Sequence, residues 1–303
     1  MEMVEFYEVT KKYGRVEALR NASFKIPEKS VTALLGPNGA GKTTSMKLIM
    51  GFSKPTRGKV LVWGMEPWRR EDLRIRLGYL PERPIYPLDA VVEDLLFHLA
   101  KLRGLGKSEV ERVIKLTGLG DYRESKIGSL SRGYMQRLGI AQSLLGEPEL
   151  LVLDEPTANL DPAARREVLE LLKTLHKELN VSMIISSHII PELQEIANYA
   201  VFIDRGVILD YGSLEDLWRK YRVEPLFIIE TLDPGRVAKQ LVEKPFVNAI
   251  RKLSPSKLEV LIDPENYKAF EKTVSELGEL VLNYEFKSAN LGDLYEKITR
   301  GRG

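Results

Sequence analysis

The sequence contains no cysteine. This absence excludes disulfide bonds, cysteine-based metal sites and cysteine nucleophiles, and it is compatible with a reducing compartment. Long apolar runs are lacking too: nowhere do about 18 apolar residues follow one another, so we expect no membrane-spanning helix. The first residues, MEMVEFYEVTKKYG, contain no apolar core of a secretory signal, and we expect none.

An excess of either charge is also absent. The 45 Lys and Arg residues nearly balance the 43 Asp and Glu residues, which leaves a formal net charge of +2. Charge alone therefore gives no reason to expect nucleic acid or an acidic partner. The length of 303 residues suits one large domain or two ordinary ones, and no internal repeat or low-complexity tract is present.

The first part of the chain alternates short apolar runs with helical patterns. The runs VTALLG (31–36), LLVLDEP (150–156) and VSMIISS (181–187) are typical of buried strands. TTSMKLIMG (43–51) predicts a helix, and Asp161 before proline predicts the N-cap of another. Strands that alternate with helices indicate an α/β fold with a mostly parallel sheet covered on both faces.

The last part of the chain has a different pattern. Its predicted elements follow the β-α-β-β-α-β order of ferredoxin-like domains, and a final short helix comes after them. We place the domain boundary near residues 219–225. The predicted elements are strand 226–232, helix 235–244, strands 246–253 and 257–263, helix 265–278, strand 279–287 and helix 290–298.

The segment GPNGAGKTT (36–44) matches the phosphate-binding pattern G-x-x-x-x-G-K-[ST] between a predicted strand and a predicted helix. Glycines allow the backbone N–H groups to wrap a phosphate, the lysine reaches the terminal phosphates, and the first threonine offers its hydroxyl to Mg²⁺. The alternative is a glycine-rich turn before a helix, which the complete motif disfavours. The candidate nucleotide-binding residues are Gly36, Asn38, Gly39, Ala40, Gly41, Lys42, Thr43 and Thr44.

Two carboxylates end the buried strand LLVLDEP. Asp154 is suited to hold Mg²⁺, and Glu155 is suited to accept a proton from an attacking water. In isolation, two solvated carboxylates at a strand end would be an equally good interpretation. The phosphate-binding loop earlier in the chain favours the catalytic one.

The segment LSRGYMQR (130–137) predicts a helix capped by Ser131, with Gly133 leaving the backbone open. A plain capped core helix is the common use of such a pattern. An open helix N-terminus also attracts anions, because its free N–H groups and the helix dipole point the same way.

These motifs together resemble a known family. GPNGAGKTT, LSRGYMQR, LLVLDEP, TANLD and SSH, in this order, resemble the nucleotide-binding domain of an ABC transporter over residues 1–220. The tail, with SANLGDLYEKIT near its end, resembles the accessory domain of some ABC export ATPases. The resemblance implies a P-loop NTPase fold of ABC type with a helical subdomain at about 83–145, and a small α+β, ferredoxin-like accessory domain at 224–303.

The resemblance also implies roles for single residues. Tyr13 matches the aromatic residue that stacks on adenine, and His188 matches the histidine at the γ-phosphate and the catalytic water. Asp161 matches the carboxylate that links the two sites of a dimer. Ser131 and Gly133 match residues that contact the γ-phosphate of an ATP held by a partner subunit.

The sequence departs from the family pattern at three positions. Glu82 stands where the family usually has a glutamine that contacts Mg²⁺ or the water, and glutamate can keep a metal-sensing role. Arg132 and Tyr134 replace a glycine and a glutamine of the common signature LSGGQ. Ser131 and Gly133 are kept, so we expect the phosphate contacts to survive, whereas the fit near the ribose does not follow from the pattern.

The expected function is Mg-ATP hydrolysis in a head-to-tail pair of ATPase domains, either a homodimer or a heterodimer. We expect it to power transport, in the direction of export, through separate polytopic membrane permease subunits that dock at residues 83–127. We expect the chain to be cytoplasmic and peripheral on the inner face of the membrane, without direct contact to nucleic acid.

Two alternatives to transport are open at this point. The chain could be a soluble ABC ATPase that acts on nucleic acid or ribosomes, although such factors usually carry two ATPase domains. A nucleotide-gated module without hydrolysis is disfavoured by Glu155. For the tail, dimerisation or regulation is the expectation.

Overall fold

The computed structural model describes residues 2–189, 193, 194, 196–221, 223, 225–287 and 291–300. Contacts divide the chain into two units, Met1–Gly212 and Ser213–Gly303. This division lies before the predicted boundary at 219–225. The reason is that residues 214–221 form an amphipathic helix that packs with the last helix of the chain, and therefore belongs to the second unit.

The first unit contains the elements expected of an α/β fold. Among the described residues, none of the helices is both long and apolar enough to cross a bilayer. The strands are β1 Glu2–Tyr13, β2 Val16–Pro27, β3 Val31–Leu35, β4 Arg57–Val62, β5 Leu77–Leu80, β6 Leu150–Asp154, β7 Ser182–Ser187, β8 Tyr199–Asp204 and β9 Val207–Ser213. The helices are α1 Lys42–Ile49, α2 Val92–Leu102, α3 Lys107–Thr117, α4 Arg132–Leu144 and α5 Pro162–Leu179.

A six-stranded sheet forms the centre of this unit, in the order β5-β6-β7-β3-β8-β9. The pairs from β5 to β8 are parallel. Their apolar runs are buried on both faces, as the continuous hydrophobic sequence predicts. Because parallel strands share a direction, the ends of β3, β6 and β7 lie at one edge of the sheet, where the loops with the candidate site residues begin.

An antiparallel sheet, in the order β2-β1-β4, lies beside the parallel one. The ring of Phe6 on β1 stacks on Phe24 of β2 with centroids 4.2 Å apart. Both rings share one buried cluster with Met46 and Ile49 of α1 and with Val152 of β6. Helix α1 is thus packed into the core, and this packing fixes the position of the loop at its N-terminus.

Helices α2, α3 and α4 pack on one another and form the helical region predicted at about 83–145. Arg112 on α3 binds Glu109 one turn earlier, and it also donates to the carbonyl oxygen of Leu144 at 2.9 Å. Glu109 in turn accepts the N–H of Gly146 at 2.7 Å. These contacts tie α3 to the C-terminal end of α4, just before β6 begins.

The second unit has the β-α-β-β-α-β order that the sequence predicts, with an additional helix before and after it. All its strand pairs are antiparallel, in the order β11-β12-β10-β13. Phe227 packs on Phe270 in its core with centroids 4.3 Å apart. Its elements are α6 Leu214–Tyr221, β10 Leu226–Thr231, α7 Pro234–Val242, β11 Val247–Ser254, β12 Lys257–Ile262, α8 Tyr267–Glu276, β13 Val281–Lys287 and α9 Leu291–Arg300.

Candidate functional site

The loop between β3 and α1 carries the sequence GPNGAGKTT and packs tightly against its neighbours. A Cβ atom on Gly36 would lie 2.0 Å from the carbonyl oxygen of Ile203, so glycine is required there. Gly41 has φ of 114°, and a Cβ would lie 2.7 Å from the carbonyl oxygen of Ala18. Two of the predicted glycines are therefore explained by close packing and by a left-handed backbone.

Helix α1 begins at this loop without a side-chain cap. Gly41 is its N-cap residue and has no side chain to bond the first-turn amides. By contrast, Ser131 caps α4 and Asp161 caps α5 through their own oxygens. Unpaired N–H groups at a helix start attract phosphate, so the first turn of α1, at the end of the glycine-rich loop, is open to an anion. Thr43 and Thr44 lie in that turn and are half-buried.

Lys42 is folded back onto its own loop. Its Nζ donates to the carbonyl oxygens of Gly36 at 2.7 Å and Pro37 at 3.2 Å, and lies 3.5 Å from Oε1 of Glu155. The residue is only 6% exposed. A buried ammonium needs such partners. A bound phosphate would replace the two neutral carbonyl oxygens as the hydrogen-bond partner of this ammonium.

Asp154 ends β6 and is almost fully buried, with 1% exposure. Its Oδ1 accepts a hydrogen bond from Ser186 Oγ at 2.6 Å. Within the described part of the chain, its Oδ2 has no hydrogen-bond partner. Burial and the negative charge of Asp154 raise the pKa of nearby Tyr79 to about 12, so the phenol stays neutral.

Glu155 has a backbone conformation that is rare for its residue type. Its φ is 51°, in the left-handed region, which costs on the order of 1–3 kcal/mol for a residue other than glycine. Its N–H donates to Ser186 Oγ at 2.8 Å, and its Oε2 lies 2.8 Å from Nδ1 of His188. The turn points the carboxylate back toward Lys42 and His188. Strain of this kind at a polar site is a pointer to function.

One cleft of ≈ 820 Å³ brings most of the predicted residues together, and its volume is in the range of ligand sites. Glu82 is at its edge, with a side chain 46% exposed and 3.5 Å from Arg83. The predicted residues that line the cleft are Asn38, Gly39, Ala40, Gly41, Lys42, Thr43, Thr44, Glu82, Asp154, Glu155 and His188.

The residues fit a magnesium ion by the chemistry of their donors. Oδ2 of Asp154 is a buried acceptor without a hydrogen-bond partner among the described residues. A bound cation would satisfy this oxygen. The hydroxyl of Thr43 and the carboxylate of Glu82 face the same cleft. No group of three or more His, Cys, Asp or Glu is gathered for a metal among the described residues, so phosphate and water would complete the oxygen ligands.

Five predicted residues do not line this cleft, and one of them, Gly36, begins the phosphate-binding loop itself. Ser131 is exposed at the start of α4, where its Oγ accepts the N–H of Tyr134 at 3.3 Å, and Gly133 follows it. Asp161 caps α5 by accepting from the N–H groups of residues 163 and 164, which lowers the pKa of its carboxyl. Tyr13 is 46% exposed with the ammonium of Lys11 over its ring.

The two departures in the signature segment have packing partners. Arg132 Nη1 donates to the carbonyl oxygen of Asn159 at 3.3 Å, and so connects the start of α4 to the TANLD loop. The ring of Tyr134 packs on Tyr122 with centroids 4.0 Å apart, and Arg137 lies 5.7 Å from its centroid. Both side chains therefore make contacts with other segments of the first unit.

Several cleft residues are not marked by any motif considered above. The turn after β8 contributes Arg205, and the next residue, Gly206, donates its N–H to the carbonyl oxygen of Ala40 at 2.8 Å. Arg20 on β2 adds a second cation. Ser186 does not line the cleft itself but binds Asp154 and Glu155, and the apolar run around it gives no sign of this contact. The pairing of β7 with β6 brings Ser186 to the site, and the pairing of β8 with β3 brings Arg205 there. A single sequence does not specify which strands pair.

Comparison with known proteins finds similarity to ATP-binding proteins of transporters. A family model described as ABC transporter matches residues 19–158. The chain is 32% identical to the uncharacterized ABC transporter ATP-binding protein YxlF of Bacillus subtilis (strain 168), over 98% of this chain and 99% of that protein. It is 35% identical to the lantibiotic transport ATP-binding protein SrtF of Streptococcus pyogenes, over 74% of this chain and 98% of that protein.

Solved structures agree with the sequence comparison. The fold is similar to the dimeric post-hydrolysis state of the ATP-binding cassette MJ0796 bound to ADP and Pi, with a TM-score of 0.62 and 26% identity. The match covers 70% of this chain and 99% of that chain.

Proposed function

Because the chain belongs to the ABC transporter family of ATP-binding proteins, we propose that its ATP hydrolysis drives export through separate polytopic membrane permease subunits. The observation that carries the proposal is one cleft that contains Lys42 on the phosphate-binding loop together with Asp154, Glu155 and His188. This is the donor set that phosphoryl transfer to water needs: a cation at the phosphates, a metal-binding carboxylate and a second carboxylate for the nucleophile.

The contacts of these residues support a role for each of them in the proposal. The N–H groups of the loop and of α1, together with Lys42, bind the phosphates and neutralise charge on the γ-phosphoryl group. Glu155 accepts a proton from the attacking water, and His188 holds the carboxylate through their 2.8 Å contact. Thr43, Asp154 and Glu82 would hold Mg²⁺, and the bound ion would supply positive charge that stabilises the transferred phosphoryl group.

The active form in this proposal is a head-to-tail pair of subunits, either identical or different. Ser131, Gly133 and Asp161 lie outside the cleft of their own chain, and Ser131 is exposed. Facing subunits would place the start of α4 from one chain against the ATP on the loop of the other. The dimeric MJ0796 cassette supports such a pair. Tyr13 would stack on the adenine.

Exposed apolar side chains between β5 and α3 support contact with a membrane subunit. Most apolar residues of this region, such as Leu96, are buried. Ile85 is 94% exposed, Leu88 61% and Phe97 39%. A protein interface would bury such exposed apolar groups. In this proposal the chain lies peripherally on the inner face of the membrane.

For the second unit we propose dimerisation or regulation of the ATPase. Its resemblance to the accessory domain of ABC export ATPases supports this role and the direction of transport. Removing Ser213–Gly303, at the contact boundary, and comparing ATPase rate and oligomeric state with the full chain tests it. Unchanged values of both would overturn the idea.

The transport proposal is tested by affinity purification of the tagged full-length chain from detergent-solubilised membranes. We expect a polytopic membrane protein to co-purify with the wild type, and less of it with Ile85→Asp and Phe97→Asp. Leu179→Asp is the matched control, since Leu179 is 39% exposed but lies at the opposite edge of the parallel sheet. Recovery of ribosomes or nucleic acid in place of a membrane protein would favour the alternative function.

A further inference from the structure

A single buried hydroxyl connects the two carboxylate residues at the end of β6. Asp154 and Ser186 are register partners in the parallel pair of β6 and β7. Ser186 Oγ donates to Asp154 Oδ1 at 2.6 Å and accepts the N–H of Glu155 at 2.8 Å. Ser186 is 0% exposed, so water does not compete for either bond.

We propose that Ser186 is a positioning residue for the ATPase reaction, which fixes the orientation of the Asp154 carboxylate and the turn at Glu155. A hydroxyl has one hydrogen to donate, and here a carboxylate oxygen takes it while the Glu155 N–H occupies a lone pair. The direction of both bonds is thereby fixed. This inference rests on the roles proposed above for Asp154 and Glu155.

The first consequence concerns Asp154. With Oδ1 held by Ser186, the carboxylate cannot rotate, and the other oxygen, Oδ2, stays without a protein partner among the described residues. That oxygen is the one left for a divalent cation. Without the hydroxyl, both oxygens would compete for the cation, and its ligand geometry would no longer be defined in advance.

The second consequence concerns Glu155. Its left-handed φ of 51° has to be held by its surroundings, and two backbone bonds do so: its N–H donates to Ser186 Oγ, and its carbonyl oxygen accepts the N–H of Ala158 at 3.0 Å. The bond to Ser186 keeps the side chain directed toward His188. One hydroxyl therefore sets both the metal-binding oxygen and the proton acceptor.

The test measures nucleotide binding apart from turnover. In a Glu155→Gln background, ATP affinity is measured by calorimetry with Mg²⁺ and with EDTA. We expect Ser186→Ala to reduce the gain in affinity that Mg²⁺ provides by about tenfold, the size of one hydrogen bond to a charged group, with metal-free affinity unchanged. In the otherwise wild-type chain, Ser186→Ala should lower kcat more than it changes KM.

Two further variants separate positioning from packing. Ser186→Thr keeps the hydroxyl and should restore the Mg²⁺ effect at least in part. Ser182→Ala, at the other end of β7 and also buried, should behave as wild type. An unchanged Mg²⁺ effect in a folded Ser186→Ala protein would overturn the inference. If Asp154→Asn and Glu155→Gln also left hydrolysis unchanged, the proposed function itself would fail.

Discussion

Nδ1 of His188 lies 2.8 Å from Oε2 of Glu155. A carboxylate oxygen accepts, so this ring nitrogen carries the hydrogen of the bond. The other oxygen of Glu155 lies 3.5 Å from Nζ of Lys42. The carboxylate is thus held between an imidazole and an ammonium, an arrangement that suits the proton acceptor proposed above.

Replacing Glu155 by glutamine removes the proton acceptor and keeps the shape of the side chain. We expect hydrolysis to fall by about 10²–10⁴-fold, the usual contribution of a general base. ATP binding should persist, and an ATP-bound dimer should accumulate, as measured by light scattering coupled to size exclusion. A normal rate of hydrolysis would show that the base is another group.

Complementation between two inactive variants tests whether Ser131 acts on the partner's ATP. Ser131→Arg and Lys42→Ala should each abolish hydrolysis, and Ser131→Arg should leave ATP binding by the monomer intact. In mixed dimers, one site combines an intact Lys42 with an intact Ser131. A 1:1 mixture should therefore recover up to about one quarter of the wild-type rate, as random symmetric pairing allows. No recovery in a mixture that forms mixed dimers would refute the role in trans.

Glu82 carries a charge where the family pattern has a neutral amide. Its side chain is 46% exposed and contacts Arg83 at 3.5 Å, so it is free to turn into the cleft. We expect Glu82→Gln to raise the Mg²⁺ concentration needed for half-maximal hydrolysis several-fold, since an amide oxygen is a weaker ligand than a carboxylate. Arg83→Ala is the control for the lost ion pair. An unchanged Mg²⁺ profile in Glu82→Gln would argue against the metal role.

The contact between Arg132 and Asn159 predicts a modest effect on turnover. Asn159 lines the cleft and has φ of 61°, and Arg132 holds its carbonyl oxygen at 3.3 Å. Arg132→Gly should lower kcat about fivefold, which corresponds to about 1 kcal/mol for one hydrogen bond. Arg132→Lys should retain part of the rate. Wild-type kcat in the glycine variant would mean that this bond does not order the loop.

The Glu109 carboxylate predicts a pH-dependent contribution to stability. Burial would raise its pKa, but bonds from Arg112 and from the N–H of Gly146 outweigh burial and lower the pKa from its usual 4.5. The carboxylate form is therefore favoured in the folded state, and its contribution is full above pH 4.5 and is lost as pH falls through the lowered pKa.

We expect Glu109→Gln to reduce the free energy of unfolding by about 1–2 kcal/mol at pH 7, measured by urea denaturation. The difference from wild type should shrink below about pH 4. Glu111→Gln, on the same helix, is a control with a more exposed carboxylate, at 48%. A difference that stayed constant from pH 7 to pH 3.5 would contradict the assignment.

Local sequence predicts much of this fold. The buried strands at 31–36, 150–156 and 181–187 and the capped helix after Asp161 are confirmed, because apolar runs, glycines and caps act over a few residues. The order of strands and helices in the second unit is the same as in the prediction, because that order too follows from local patterns. Residue 290, where the last helix was predicted to begin, lies outside the described residues.

The parts of the site that the sequence did not reveal depend on neighbours distant in the chain. Ser186 meets Asp154 only because β7 lies next to β6 in a register that a single sequence does not specify. Arg205 reaches the cleft because β8 pairs with β3. The boundary before residue 214 differs from the prediction because the helix there packs with the last one.

The left-handed backbone of Glu155 has an evolutionary consequence. Glycine would occupy that φ without strain, so replacing Glu155 by glycine would relieve the backbone strain but remove the carboxylate. Selection for a stable fold and selection for turnover therefore oppose each other at this one residue. A lineage released from the need to hydrolyse ATP would be expected to lose the glutamate here early, while the buried apolar strands around it persisted.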